Sequence, residues 1–533
     1  MRHLMCWMLL LAAPWGAGVV LPAQQQFRTT TSLLTLDVSV LDDDGNPVTD
    51  LGPEDFVVTL NDARQPVRAM VFLAARETRT TGTEAPTAGA PVAPVPPAAA
   101  SQAGAEGEPD PKLIVILVDD ASIHPTDSKG LFVAAERFVD AIPPGDWVGL
   151  ASTSGRMTVN PSRDRVPLLA DLRRAFGWMN DPRRERRPFV GLMDALEVDA
   201  GSQAAFRDLL ETSCGLSQNL IGSKNLGEIL AQYDCASDVQ RVARDNATYA
   251  RLLARTQLDT YVALIKAMAS APGVKQLVIL TGGIAVKPSD ARDFEPMAEA
   301  AAAAGVQISM LMEEPDDGDF SNPDARALAR DQRQMMQQTQ TLAEMSGGQF
   351  FRVIGQADRF YRRVLTSASA IYRIGVDLPP DVPPDGRYKV AVTVTRPRVK
   401  VLASRYAVPP PPPIALSPDE QMQRAVRTGE LSFGVPVRMT AEVVSVQATS
   451  PTAIRVHVDV PADRPRPVTG IFGMTGSDGL LRSLRRELVQ KVSGGPYQVD
   501  LLVPAASGTY DLRFAATDGS GAVGAVVQRV VVK

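Results

Sequence analysis

The chain is poor in the residues that most hydrolases and metalloenzymes rely on. Its 533 residues include three histidines and three cysteines. One of each, His3 and Cys6, falls in the first few positions. The remaining histidines, His124 and His457, lie in different predicted domains, so a histidine-centred triad or a multi-histidine metal site is hard to build. The phosphate loops Gly-x-Gly-x-x-Gly and Gly-x-x-x-x-Gly-Lys-Ser/Thr are absent, and so is the nucleophile motif Gly-x-Ser-x-Gly. Cys-x-x-Cys is also missing, which argues against thiol redox catalysis and a zinc knuckle. Charge of one sign is lacking too: 55 basic residues face 60 acidic ones, a net charge of −5. No global field therefore recruits nucleic acid or an anionic membrane. Beyond the N-terminus no apolar run reaches the ~18 residues of a membrane span, so the mature chain is expected to carry no transmembrane segment.

What is present reads as an exported multidomain protein. The length exceeds one core and predicts about two to four domains. Arg2 and His3 precede the apolar stretch Met8–Ala13, and small residues run to Ala23 before three glutamines. Residues 1–23 are therefore expected to be a signal peptide, with a secreted or periplasmic destination. The two remaining cysteines, Cys214 and Cys235, are in that setting most simply a disulfide.

Along the chain, residues 27–77 alternate like strands, with Leu34, Leu36, Val38 and Val40 on one face. The acidic run Asp42–Asp44 before Gly45 lacks calcium-loop spacing and reads as a turn. Residues 78–110, rich in Ala, Pro, Thr and Gly, form a flexible linker. From Leu113 strands and helices alternate to about residue 370, the pattern of a mostly parallel sheet covered on both faces. Its first strand is a nearly continuous apolar run, Leu113–Val118, that ends in Asp119, Asp120 and Ser122. Ligands in such sheets bind beyond these carboxyl ends. Helices are expected over 128–142, 164–178 and 251–270, with an insertion at about 197–250 that carries the cysteines. The basic run Arg183–Arg187 has no aromatic platform beside it and reads as a solvated loop. Residues 371–406 return to strand alternation and are expected to pair with 27–77 in one composite sandwich. A proline-rich linker at 407–417 precedes an all-β sandwich at 418–533, with strands expected near 435–446, 454–460, 497–503, 510–516 and 523–532.

Leu113–His124, Pro143–Val148 and Pro272–Leu280, in that order and spacing, resemble the von Willebrand factor A domain. They are most similar to its secreted bacterial branch, the VWFA-related domain of acidobacterial type. Val48–Phe56 resembles that family's leading β segment, and Leu342–Gly348 and Tyr372–Gly375 its closing elements. The resemblance runs from about residue 30 to 406 and implies a doubly wound fold flanked by β-sandwich modules. It also implies Mg²⁺ or Ca²⁺ held by Asp-x-Ser-x-Ser, a Thr and a later Asp, the oxygen ligands that hard cations require. Asp120 and Ser122 match the first motif, but His124 stands at its third ligand position. Starting the motif at Asp119 puts Ala121 where Ser belongs. Gly282, after Thr281, replaces the later Asp, and Thr256 is a candidate for the Thr. A degenerate site follows, with no cofactor expected unless Asp119 or the 313–319 carboxylates compensate. The plainer role for Asp120 and Ser122 is capping and turn formation.

The favoured expectation is a secreted, non-enzymatic protein-binding, adhesion or scaffold protein with a protein or envelope partner. One alternative is an exported hydrolase using Asp120 and the carboxylates of 313–319, which requires a deep pocket there. The other is a purely structural envelope component that binds through its C-terminal sandwich.

Overall fold

A computed structural model describes residues 33–74, 112–125, 129–179, 181, 187–214, 226–271, 273–314, 323–354, 357–367, 369–379, 386–409, 416–444, 452–460, 468–492, 495–519 and 521–532. The expected signal peptide (1–23), the linker (78–110), most of the basic run at 183–187 and the acidic residues Asp316, Asp317 and Asp319 lie outside them.

The first segment supplies β1 (Leu33–Asp42), β2 (Phe56–Leu60), β3 (Ala63–Gln65) and β4 (Val67–Ala74). The turn after β1 is closed by Asp42, whose carboxylate accepts the Asn46 backbone N–H at 2.8 Å.

The α/β region follows. It comprises β5 (Leu113–Asp119), α1 (Lys129–Ala141), β6 (Trp147–Ser152), β7 (Thr158–Ser162) and α2 (Val166–Leu172). Next come α3 (Leu192–Asp199), α4 (Gln203–Cys214), α5 (Leu226–Met268), β8 (Lys275–Thr281) and α6 (Glu295–Ala304). It ends with β9 (Val306–Glu313), α7 (Pro323–Met345), β10 (Gln349–Val353) and α8 (Asp358–Ser367). The sheet order is β10-β9-β8-β5-β6-β7, parallel except for β7. Every residue of β5 is buried. Leu113, Val115 and Leu117 pack with α5, α6 and α7 on one face, and Ile114, Ile116 and Val118 with α1, α2 and α8 on the other. That two-sided burial explains the unbroken apolar run.

Two helices differ from expectation. The stretch expected to be helical over 164–178 stops at Leu172, because the chain then crosses the loop that follows β5. The helix expected at 251–270 begins instead at Leu226, so the region read as an insertion continues into it without a break. This region is packed: Leu196, Leu209, Val239, Ala243 and Met335 share one cluster. Asp331 of α7 caps α3 from a distance, accepting the Leu192 and Met193 backbone N–H groups at 2.9 and 2.7 Å. Cys214 and Cys235 form a disulfide that joins α4 to α5 across a separation of 21 residues. Chain entropy assigns such a closure about 3 kcal/mol. The Cys214→Ala/Cys235→Ala double variant is expected to lose about that much in urea unfolding, and reduced wild type to match it.

After α8 the chain returns to the first segment through β11 (Ala370–Asp377), β12 (Tyr388–Val394), β13 (Val399–Leu402) and β14 (Tyr406–Ala407). β11 lies between β1 and β4, and β12 between β14 and β2, which gives two four-stranded sheets around one core. Tyr372 of β11 pins the first segment: its hydroxyl donates to Val48 O (2.9 Å) and accepts from Leu51 N (3.1 Å).

The C-terminal region opens with a helix that the strand reading did not mark, α9 (Pro418–Thr428). Ser417 and Glu420 form its capping box, with proline at the first helical position. Eight strands follow: β15 (Ser432–Phe433), β16 (Arg438–Val444), β17 (Ala453–Val460), β18 (Val468–Gly476), β19 (Leu481–Lys491), β20 (Tyr497–Pro504), β21 (Gly508–Thr517) and β22 (Val523–Val532). The strands expected to form a sandwich run in one continuous antiparallel order, β15-β22-β21-β18-β19-β20-β17-β16. It folds over a single core as a half-barrel, since β19 and β20 are joined at only two residue pairs. The described residues from Leu33 onward form one compact unit. Arg387 reaches Glu295 on α6 at 2.7 Å, and Arg438 reaches Asp164 at 2.8 Å.

Candidate functional site

The sheet reverses its winding direction between β5 and β8: β6 follows on one side, β9 and β10 on the other. Such a switch point opens a crevice at the carboxyl ends of the strands. Here β5 delivers Asp119 and Asp120, β6 delivers Thr153 and Ser154, and β8 delivers Thr281 and Gly282. Asp119 and Asp120 are both 0 % exposed.

Asp119 is enclosed by neutral donors. Its Oδ2 lies 2.6 Å from Ser122 Oγ, 2.6 Å from Gln257 Nε2, 2.8 Å from the Tyr261 hydroxyl and 2.7 Å from Thr281 Oγ1. Its Oδ1 accepts from Thr153 Oγ1 at 2.9 Å. Gln257 and Tyr261 are one turn apart on α5 and so present one face. Burial, then the charge and hydrogen bond of Asp119, hold the Tyr261 phenol well above its usual pKa, so it remains a donor. Among the described residues, Gln257 Oε1 has no hydrogen-bond partner.

Asp120 turns the other way. It accepts from the Ser154 backbone N–H at 3.0 Å, from Ser154 Oγ at 2.5 Å and from Thr153 Oγ1 at 3.0 Å. Thr153 thus stands between the two carboxylates, and its one hydroxyl hydrogen can go to either. Ser122, which the sequence motif groups with Asp120, belongs to Asp119: the chain turns at residues 119–122, and both N–H and Oγ of Ser122 bond Asp119 O, at 3.0 and 2.8 Å.

The segment after α2 covers Asp120. Trp178 N donates to Asp120 O at 2.6 Å and Met179 N to Ile123 O at 2.9 Å. Gly177 permits this approach, since a Cβ there would lie 2.1 Å from Ile123 O. Above the crossing sit two aromatic rings, Phe176 and Trp178, 45 % and 40 % exposed, with centroids 4.6 Å apart. The Arg156 guanidinium stacks 3.4 Å from the Trp178 ring centre. Together with Asp171 and Arg174 they line an open cleft of about 340 Å³ beside Asp120.

Of the residues singled out from sequence, Asp119, Asp120, Ser122, Thr281 and Gly282 converge. Gly282 N donates to Ser122 Oγ at 2.9 Å, and a Cβ at this position would meet Ser122 O at 2.1 Å. His124 follows on the same loop, half-buried. Thr256 does not take part; it is exposed, and its hydroxyl donates to Leu252 O at 2.9 Å. The adjacent Gln257 occupies the cluster instead. Gln257, Tyr261, Thr153 and Ser154 were not identified from sequence. The helical spacing of the first two and the strand-end position of the others were the available signals. Among the described residues no group of three or more His, Cys, Asp or Glu side chains is placed to share a metal ion.

No family model matches the chain, and no curated protein is significantly similar to it. Among solved structures, it is similar to the pilus adhesin SpaC from Lactobacillus rhamnosus GG, with 8 % identity over 79 % of this chain and 53 % of the adhesin, at a TM-score of 0.22. The chain thus spans about half the length of that protein. It is also similar to a β-glucuronidase from Bacteroides uniformis (9 % identity, 33 % of this chain and 20 % of the enzyme, TM-score 0.17). A third similarity is to β-glucosidase 3B from Thermotoga neapolitana (11 % identity, 51 % and 40 %, TM-score 0.12). At these scores the similarities decide neither fold nor function. Among the described residues no helix is long and apolar enough to cross a membrane.

Proposed function

We propose that this is an exported, non-enzymatic protein-binding module of the von Willebrand A type. In this reading it meets its partner through the aromatic and cationic edge beside Asp120. The observation that carries the reading is the exposed Phe176–Trp178 pair with Arg156 stacked on it. Trp, Phe and Arg are the residue types that concentrate binding energy at protein interfaces. The backbone clamp of Trp178 and Met179 onto the β5 loop holds them in place before binding, which lowers the ordering cost. Export is supported by the Cys214–Cys235 disulfide.

The polar cluster is, in this proposal, a structural device and not a cation site. A hard cation needs about six to eight oxygen ligands with free lone pairs. Asp119 Oδ2 already faces four donors, of which Gln257 Nε2 can only donate, and Asp120 is taken up by Ser154 and Thr153. The residues present therefore do not fit Mg²⁺ or Ca²⁺. The hydrolase alternative would use Asp120, and the cleft beside it is open and lined by aromatic and basic groups; the described residues include no paired nucleophile and base there.

A photo-reactive residue at Phe176, in the full chain in its native envelope, is expected to cross-link one discrete protein. Trp178→Ala should remove that product, a loss of about 2 kcal/mol or more in binding. The same label at Leu252 serves as control. Identical products from both positions, or none at Phe176, would reject the assignment.

A further inference from the structure

A second surface, independent of the cleft, lies on the half-barrel. β19 pairs with β18 from Leu481 to Val489, but with β20 only at Gln490 and Lys491. Among the described residues, the outer edge of β19 from Leu481 to Val489 therefore has no strand partner. An open edge of this length presents unpaired backbone N–H and C=O groups, which globular proteins usually shield.

The side chains on this edge are not those of a neutral strand. Leu484 stands opposite Gly473 and Leu488 opposite Thr469, on the face that α9 covers farther along the sheet. Both are left open, at 44 % and 63 % exposure. Arg482, Arg485 and Arg486 stand against one carboxylate, Glu487. Arg482 pairs with Asp478 and Arg486 with Asp419, while exposed Arg485 has no ion pair among the described residues.

We infer that this edge takes up an extended segment of a partner protein as an added strand, and that the segment alternates acidic and apolar residues. Backbone pairing would supply affinity. The leucines and Arg485 would read alternate side chains, as in other strand-addition complexes. A second copy of the chain is a poorer occupant, because it brings the same cations to the seam and like charges on opposed strands repel.

The test uses the full chain and fluorescein-labelled short peptides followed by anisotropy. One peptide alternates glutamate and valine, a second lysine and valine, and a third repeats the first with alternate backbone nitrogens methylated. The acidic peptide is expected to bind, the basic one not, and the methylated one not. Arg485→Glu and Leu488→Asp, both at exposed positions, should each weaken binding about tenfold, the scale of one lost contact, with unchanged melting temperature. Trp178→Ala should bind the peptide normally, which separates this surface from the cleft. Four results would overturn the inference: no binding of the acidic peptide at millimolar concentration, equal binding of the basic peptide, undiminished binding after methylation, or a concentration-dependent dimer abolished by Arg485→Glu.

Discussion

Asp119→Ala is expected to cost about 3–5 kcal/mol of stability, the scale for removing a buried charge on which several hydrogen bonds depend. The side chains that now point at its carboxylate, from Ser122, Thr153, Gln257, Tyr261 and Thr281, would be left as donors in a site with no solvent access. The loss should appear in urea unfolding of the full chain, in EDTA and in millimolar Mg²⁺ or Ca²⁺ alike. Asp120→Asn should cost much less. It leaves the acceptor for the Ser154 backbone N–H in place, and the Ser154 hydroxyl can turn to accept from the new amide. A wild-type melting temperature that rises with Mg²⁺ or Ca²⁺, with that rise lost in Asp120→Asn, would instead show that the cluster is a cation site.

Gly282→Asp carries the second large effect. This substitution restores the carboxylate that the resemblance to von Willebrand A domains places after β8. In this chain the Cβ would approach Ser122 O to 2.1 Å, and the obstacle is backbone. The β5 loop must move, breaking the Gly282 N–H bond to Ser122 Oγ and with it the turn that brings Ser122 onto Asp119. Overpacking of this kind costs about 1–3 kcal/mol or more, with no Mg²⁺-dependent recovery. Gly282→Ala should show most of the same loss, since the clash begins at Cβ. A stable, metal-responsive Gly282→Asp protein would sink this account.

The departure at Gly282 is thus a packing requirement as well as a missing ligand. The sequence alone registers the missing carboxylate. It does not reveal that the loop has closed into the space, because the contact joins residues 160 positions apart. The pairing of Ser122 has the same character. The spacing Asp-x-Ser suggests Asp120 as its partner, whereas the tight turn at 119–122 folds its hydroxyl back onto Asp119.

Local pattern also failed where burial is unusual. β18 carries Gly470, Gly473 and Gly476, which weaken the strand signal. The Gly473 position is crowded by α9, where a Cβ would meet Val426 at 2.4 Å. β19 is basic and mostly exposed, so it shows no clean alternation. The helix over 418–428 went unmarked although its signals are ordinary: serine, proline and glutamate at its start and Gly429 just past its end are capping residues.

What the sequence by itself determined is the set of elements whose burial is periodic and local. β5 reads as a central strand because both its faces are covered, and the polar residues after it read as the sheet's carboxyl edge. The paucity of histidine and cysteine likewise limits the chemistry before any fold is known. Tertiary structure decided which polar residues meet. Gln257 and Tyr261 reach Asp119 only because α5 docks beside β5 and β8, and Thr153 does so only because β6 is the next strand. It also decided that Trp178 and Phe176 stand in solvent, since the chain there is clamped by its backbone to a loop more than 50 residues earlier. Side-chain periodicity carries no record of such contacts. They follow from docking between elements distant in sequence.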